Sequence, residues 1–125
     1  MDTRTKIVSA ETAAGLAREC RASGRRITLV WGHFDPLLAA HARRLGELAS
    51  PGAVLIAAVS EPARPILPAR ARAELVAALA AVDYVVLPGP GGALDGLEAD
   101  AISREEAADE RRTGDLMRHV QSRHE

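Results

Sequence analysis

The residues best suited to chemistry lie in one short stretch, Gly32-His33-Phe34-Asp35 running through Pro36 to Ala39-Ala40-His41. A strand-length apolar run, Ile27 to Trp31, precedes it, and a helical pattern from Ala39 to Leu48 follows. The opening of a helix offers free N–H groups and the positive end of a dipole, and both suit an anion. His41 in the first turn adds a side-chain donor beside them. Gly32 has no Cβ, which serves either a tight turn or the close approach of an anion to the backbone. Phosphate is an anion such donors would suit, and phosphoryl-type transfer a chemistry they could serve. Such transfer asks for alignment and for donors where charge builds on oxygen, more than for covalent help.

Several of these residues have plainer roles open to them. Phe34 reads as core packing, and Asp35 as a turn residue ahead of Pro36. His33 is divided between a site residue and a solvent-exposed loop residue. Arg72, on a later helix, suits a solvated position or a pairing with Glu74, and Thr113 suits the cap of the last helix. Arg111 and Arg112 stand among Glu105, Glu106, Asp109 and Glu110, as expected of a surface ion-pair patch. His119 and His124 have no assigned role. The run Gly89-Pro90-Gly91-Gly92 lacks the Gly-Lys-Ser/Thr of a phosphate-binding loop and reads as a linker. No Cys/His arrangement has metal-ligand spacing.

The elements that must position this stretch follow from periodicity. Ser9 caps a first helix carrying Ala13, Leu16, Ala17 and Cys20, ended by Gly24. Unbroken apolar runs at Ile27–Trp31 and Ala53–Val59 read as buried strands, and Asp83–Leu87 reads as a third strand. Helices are expected at Ala39–Leu48, at Ala69–Ala80 behind Pro68, and from near Thr113 onward with Leu116, Met117 and Val120. Between Leu87 and Thr113 the pattern weakens. Leu94 and Leu97 suggest a short helix, and Ala101-Ile102-Ser103 a marginal strand. Alternating helices and strands argue for an α/β fold, Rossmann-like, with three layers and a mostly parallel sheet. Ligands of such sheets bind beyond the carboxyl ends of the strands, which makes the loop after Trp31 the first place to look.

Composition narrows the classes. The chain has 125 residues, 47% of them apolar, enough for one domain spanning 1–125 with a charged C-terminal part from about residue 99. Its apolar residues are mostly Ala, Val and Leu, with Trp31, Phe34 and Tyr84 as the aromatics, so elements must approach closely. A net charge of -1 argues against nucleic acid as a partner. Cys20 is the single cysteine and reads as a packing residue. No apolar run approaches the roughly 20 residues needed to cross a bilayer, and Met1 to Lys6 lacks the apolar segment of a signal peptide. A cytoplasmic protein with no membrane partner is expected.

The stretch Trp31-Gly32-His33-Phe34-Asp35-Pro36-Leu37-Leu38-Ala39-Ala40-His41 resembles the G-x-F-D-x-x-H-x-G-H signature of the cytidylyltransferase-like nucleotidyltransferases. It is most similar to the nucleotidyltransferase domain of ADP-heptose synthases. Lys6-Ile7-Val8-Ser9, Arg64-Pro65-Ile66-Leu67-Pro68, Arg72-Ala73-Glu74-Leu75, Val82-Asp83-Tyr84-Val85-Val86 and Thr113-Gly114-Asp115-Leu116-Met117 extend the likeness over about four-fifths of the chain. The resemblance implies transfer of a nucleoside monophosphate from ATP or CTP to a small phosphorylated sugar or alcohol, with release of pyrophosphate. It also implies Mg²⁺ carried with the nucleotide, and a homodimer. Catalytic roles then fall on His41 and His33, and nucleotide binding on Gly32, Phe34, Asp35, Ala40, Arg72, Thr113 and Gly114.

The chain departs from that pattern in places. Leu38 stands where the signature has its first His, and Ala40 where it has Gly. The loop from Ser60 to Arg64 is short and has no lysine. Loss of one transition-state donor typically costs roughly 3–4 kcal/mol, so Leu38 predicts a slow enzyme unless His33 compensates. A non-catalytic, nucleotide- or partner-binding descendant of the fold is the alternative carried forward.

Overall fold

The computed structural model describes residues 2–89, 94 and 96–123, with side chains as far as residue 120. Its strands are β1 (Ile7–Val8), β2 (Arg26–Gly32), β3 (Ala53–Val59), β4 (Tyr84–Val86) and β5 (Ala101–Arg104). Its helices are α1 (Ala10–Ala22), α2 (Ala39–Leu48), α3 (Ala69–Ala77) and α4 (Glu106–Arg123). The sheet runs β1-β4-β3-β2-β5 with every neighbouring pair parallel. Among the described residues no helix is long and apolar enough to cross a membrane.

The unbroken apolar runs are explained by cover on both faces. On one face Val30, Leu55, Ala57 and Val59 pack with Leu45 of α2 and with Ala73, Val76 and Ala77 of α3. On the other, Ile27, Leu29, Trp31, Val54, Ile56 and Ala58 pack with Ala13 and Ala17 of α1. Successive strand residues alternate between the two layers, as the pleat requires. The result is a three-layer α/β/α arrangement of the Rossmann-like kind. Small residues at the helix contacts let the layers approach closely, in keeping with a core poor in aromatics.

Local polar groups set where elements begin and end. Ser9 Oγ accepts the Thr12 N–H at 3.1 Å, and Gly24 ends the α1 turn at φ 82°. Asp83 and Asp100 each stand one step ahead of a strand and accept an N–H from its neighbour. Asp83 takes Leu55 N and Asp100 takes Ile27 N, both at 2.8 Å. Lys6 Nζ donates to the carbonyls of Leu79 and Val82 beyond the end of α3.

The boundaries differ from expectation in four places. Ile7–Val8 forms an edge strand rather than a plain lead into α1, because it finds an open edge on β4. The third helix stops at Ala77 instead of Ala80. Leu94 and Leu97 are joined by a hydrogen-bonded turn, not a helix, and the adjoining linker residues 90–92 lie outside the described residues. The largest correction is α4, which begins at Glu106 rather than near Thr113. Glu106 and Asp109 lie in its first turn, where the dipole favours carboxylates, and the Ala and Arg that follow are good helix formers. The charged run is therefore helix from its start.

β5 forms on the far edge of the sheet, with Ile102 61% exposed. The Glu105 N–H then donates to Trp31 O at 2.8 Å, and Arg104 lies 4.4 Å over the Trp31 ring. The Glu105 carboxylate accepts from Arg44 at 2.8 Å and from the Ser103 hydroxyl at 2.7 Å. Burial pushes the Glu105 carboxyl up, but the Ser103 and Arg44 hydrogen bonds outweigh it and hold the group below its ordinary value.

Leu45→Ala, at a fully buried position, lowers stability by about 2–5 kcal/mol in urea denaturation, whereas Ile102→Ser on the exposed edge changes it by less than about 0.5 kcal/mol. Because Glu105 is more acidic folded than unfolded, its stabilisation is complete above the ordinary glutamate value and fades as pH falls through the folded one. Glu105→Gln is therefore less stable than wild type at neutral pH, and the difference shrinks in denaturation series taken below the ordinary value of 4.5.

Candidate functional site

The turn after β2 is built on a bare backbone. A Cβ added at Gly32 would lie 2.6 Å from a carboxylate oxygen of Asp109 and 2.6 Å from the Phe34 ring, so no larger residue fits. Phe34 takes φ 49°, a left-handed conformation that costs an L-residue about 1–2 kcal/mol. Burial of its ring holds it there, edge-on to His41 with centroids 5.7 Å apart. The next residue, Asp35, is also buried and accepts the N–H groups of Ile66 and Leu67 at 2.6 and 2.8 Å. It therefore ties the turn after β2 to the loop after β3. Both residues act on the architecture of the turn, in line with their plainer readings.

His41 sits in the first turn of α2 and is 1% exposed. Its Nδ1 accepts the Leu38 N–H at 2.8 Å, which orients the ring and leaves its proton on Nε2. Leu38 has no side-chain oxygen to cap the helix, and His41 reaches back to serve its backbone instead. Asp109 Oδ1 lies 2.8 Å from Nε2. The carboxylate is off the line of the N–H, and Nε2 has no partner with hydrogen-bond geometry. We treat the pair as a close electrostatic contact and not as a hydrogen bond.

Asp109 is the residue that sequence patterns misplace. It is 1% exposed, not part of a surface patch. Its Oδ2 accepts the His33 N–H at 2.8 Å, and Arg112 donates to Oδ1 at 3.1 Å. The place beside His41 that its donor suits to an anion is thus filled by this carboxylate. Because α4 starts early, Thr113 and Gly114 lie within the helix and not at its opening. The Thr113 hydroxyl donates to Asp35 O at 2.9 Å, and the amides at that point are committed to helix. Ala40 is half-buried in the first turn of α2.

Arg72 is fully buried, and its expected pairing with Glu74 does not form; Arg70 pairs with Glu74 instead. Its guanidinium donates to the carbonyls of Leu67, His33 and Ser60 and to the Glu61 carboxylate, at 2.7 to 3.1 Å. These bonds hold the turn after β2 against the loop after β3.

An open cleft of about 410 Å³ adjoins this braced region. His33 and Asp35 form one wall, Pro62 to Arg64 a second, and Glu110, Thr113 and Gly114 a third. His33 Nδ1 lies 3.9 Å from Glu110 Oε1. Of the expected site residues, His33, Asp35, Thr113 and Gly114 meet at this cleft, while Gly32, Phe34, His41 and Arg72 lie buried behind it. Arg64 was not singled out in the sequence as a site residue. The available signal was its place as the one basic residue in the loop after β3.

No family model matches the chain. Among curated proteins it is similar to the bifunctional protein HldE of Geobacter metallireducens, with 32% identity over 95 residues, 69% of this chain and 19% of that protein. The HldE of Trichlorobacter lovleyi is 37% identical over 95 residues, again 69% of this chain and 19% of the relative. That of Alkalilimnicola ehrlichii is 40% identical over 77 residues, 54% of this chain and 16% of the relative. The chain spans about a fifth of the length of the curated relatives it matches. Such similarity, carried by an all-parallel five-stranded sheet, makes this chain a distant relative of one segment of the HldE proteins, with a cytidylyltransferase-like relationship.

Proposed function

We propose that the chain is a nucleotidyltransferase-like protein that takes a nucleoside triphosphate, ATP or CTP, in the cleft beside the turn after β2. Its acceptor is a small phosphorylated sugar or alcohol. The observation that carries this is the cleft itself, about 410 Å³ in volume and bounded by His33, Arg64 and Thr113. That volume falls in the range of small-molecule sites, roughly 300–1,000 Å³. Its place also agrees with the physics of the fold, since loops at the carboxyl ends of parallel strands converge on ligands.

In the transfer, an acceptor phosphate oxygen bonds to the α-phosphorus while the bond to the bridging oxygen breaks and pyrophosphate leaves with the electron pair. Arg64 supplies a charged donor at the cleft wall, and His33 a second donor beside it. Asp35, Arg72 and Phe34 are positioning residues that hold the turn. His41 stands behind the cleft with its Nε2–H, set by the Leu38 backbone, against the Asp109 carboxylate, and would meet a phosphate only where that carboxylate is displaced. Magnesium is proposed to arrive with the nucleotide. Both Asp35 oxygens already accept backbone N–H groups, so Glu110 is the cleft carboxylate that fits as a partner to the ion. Mg²⁺ needs few protein ligands when phosphates and water supply the rest, and bound there it would neutralise charge on the phosphates.

A second reading, binding without transfer, is favoured by the Asp109 carboxylate beside His41 Nε2 and by the absence of a polar atom on the Leu38 side chain. Both readings place a nucleotide in the cleft and separate on turnover. With Mg²⁺ present, ATP or CTP raises the melting temperature of the wild type, the gain reaching about 2.7 kcal/mol at a hundredfold excess over Kd. Arg64→Ala weakens that binding by about tenfold, the worth of one charge-assisted hydrogen bond. A shift with pyrophosphate release, across a panel of sugar and alcohol phosphates, supports the transferase. A shift without release supports the binding protein, and no shift with either nucleotide removes the cleft from both.

A further inference from the structure

We propose that Asp109 is a built-in competitor for phosphate: its carboxylate occupies an anion seat formed by the His33 N–H, His41 Nε2 and the bare backbone at Gly32, and a nucleotide phosphate takes that seat only when α4 withdraws. The proposal rests on the nucleotide reading of the cleft and adds a regulation of that site.

Three features of the seat fit an anion. Oδ2 accepts the His33 N–H at 2.8 Å, and Nε2 of His41 stands 2.8 Å from Oδ1; Arg112, which donates to Oδ1 at 3.1 Å, rides on α4 with Asp109 and is no part of the seat. Oδ2 also rests against bare backbone, since a Cβ on Gly32 would come within 2.6 Å of it. His41 is set as an Nε2–H donor by the Leu38 N–H, yet the carboxylate lies off that donor's line. Nε2 is the one buried side-chain polar atom among the described residues without a hydrogen-bond partner. A planar carboxylate fills the seat without satisfying it. A phosphate group, with tetrahedral oxygens and more charge, has an oxygen to direct along the N–H.

The helix carrying Asp109 is suited to leave. Asp109 is the single buried residue among those described on α4, while Met117 and Val120 are exposed. The helix is held to the turn and loop beneath it through polar contacts spaced along one face. Glu106 accepts from Ser60, Asp109 from His33, and Thr113 donates to Asp35. Little apolar surface is exposed when such contacts part, which marks an element of low local stability. The seat also adjoins the cleft, because His33 serves both and Glu110, Thr113 and Gly114 of α4 line the cleft wall. A ligand there has its anionic end next to the seat, in competition with Asp109.

Inorganic pyrophosphate, ATP and CTP, titrated into wild type and Asp109→Ala by calorimetry, test this. Asp109→Ala is expected to bind pyrophosphate at least tenfold tighter than wild type, and His41→Ala in the same background to remove the gain. Saturating pyrophosphate is expected to increase amide exchange along α4 of the wild type. Equal affinity in wild type and Asp109→Ala, a gain that survives His41→Ala, or unchanged exchange on α4 each overturns the proposal. If Asp109→Ala does not fold, the isosteric Asp109→Asn is titrated, with the same tenfold threshold deciding. Tight pyrophosphate binding by the variant without ATP or CTP binding keeps the seat and removes the nucleotide reading. Equal nucleotide binding by both proteins keeps that reading and removes the competitor.

Discussion

A carboxylate carried by α4 reaches the backbone of the turn after β2, and the surrounding groups are arranged about that contact. Taking an ionised carboxylate out of water costs several kcal/mol unless donors replace the lost hydration. The His33 N–H and the Arg112 guanidinium supply hydrogen bonds to Asp109, and His41 supplies a close N–H dipole. Gly32 leaves room for the oxygen, and no side chain larger than hydrogen could occupy its position. The contact also fixes where α4 lies. With Asp109 inside, Glu106 and Thr113 fall on the same helical face and meet Ser60 and Asp35, since residues three and four apart share a face.

The turn withstands this load because it is braced from the other side. Arg72 joins three carbonyls, one from the turn after β2 and two from the loop after β3, and Asp35 takes two N–H groups of that loop. A guanidinium suits such a place, since its planar fork carries five donors that stay charged at any physiological pH. The same bonds commit Arg72 to structure. Its charge is already shared among carbonyls and Glu61, so the cleft draws its exposed cationic group from Arg64 instead.

Position 38 shows how one substitution redistributes a role. A leucine there removes a side-chain donor from the expected signature, but its backbone N–H still engages His41 Nδ1. That bond selects the tautomer with the proton on Nε2, the form that donates. The donor is kept while its neighbour is lost. Whether a phosphate or Asp109 receives it is then a matter of competition between anions.

The layer order, the three central strands, α1, α2 and the turn between Trp31 and Ala39 were legible in the amino-acid sequence. Each rests on local periodicity, caps and breakers, and those effects act between near neighbours in the chain. The burial of Arg72, the start of α4 and the position of Asp109 were not legible. A charged side chain reads as solvated until its partners are known, and the partners of Arg72 and Asp109 come from segments up to 76 residues away. Sequence alone thus determined the central strands, the helices between them and the turn that follows the first central strand. Only the tertiary structure decided that a carboxylate from α4 fills that turn, because desolvation and convergent donors exist only once distant segments meet.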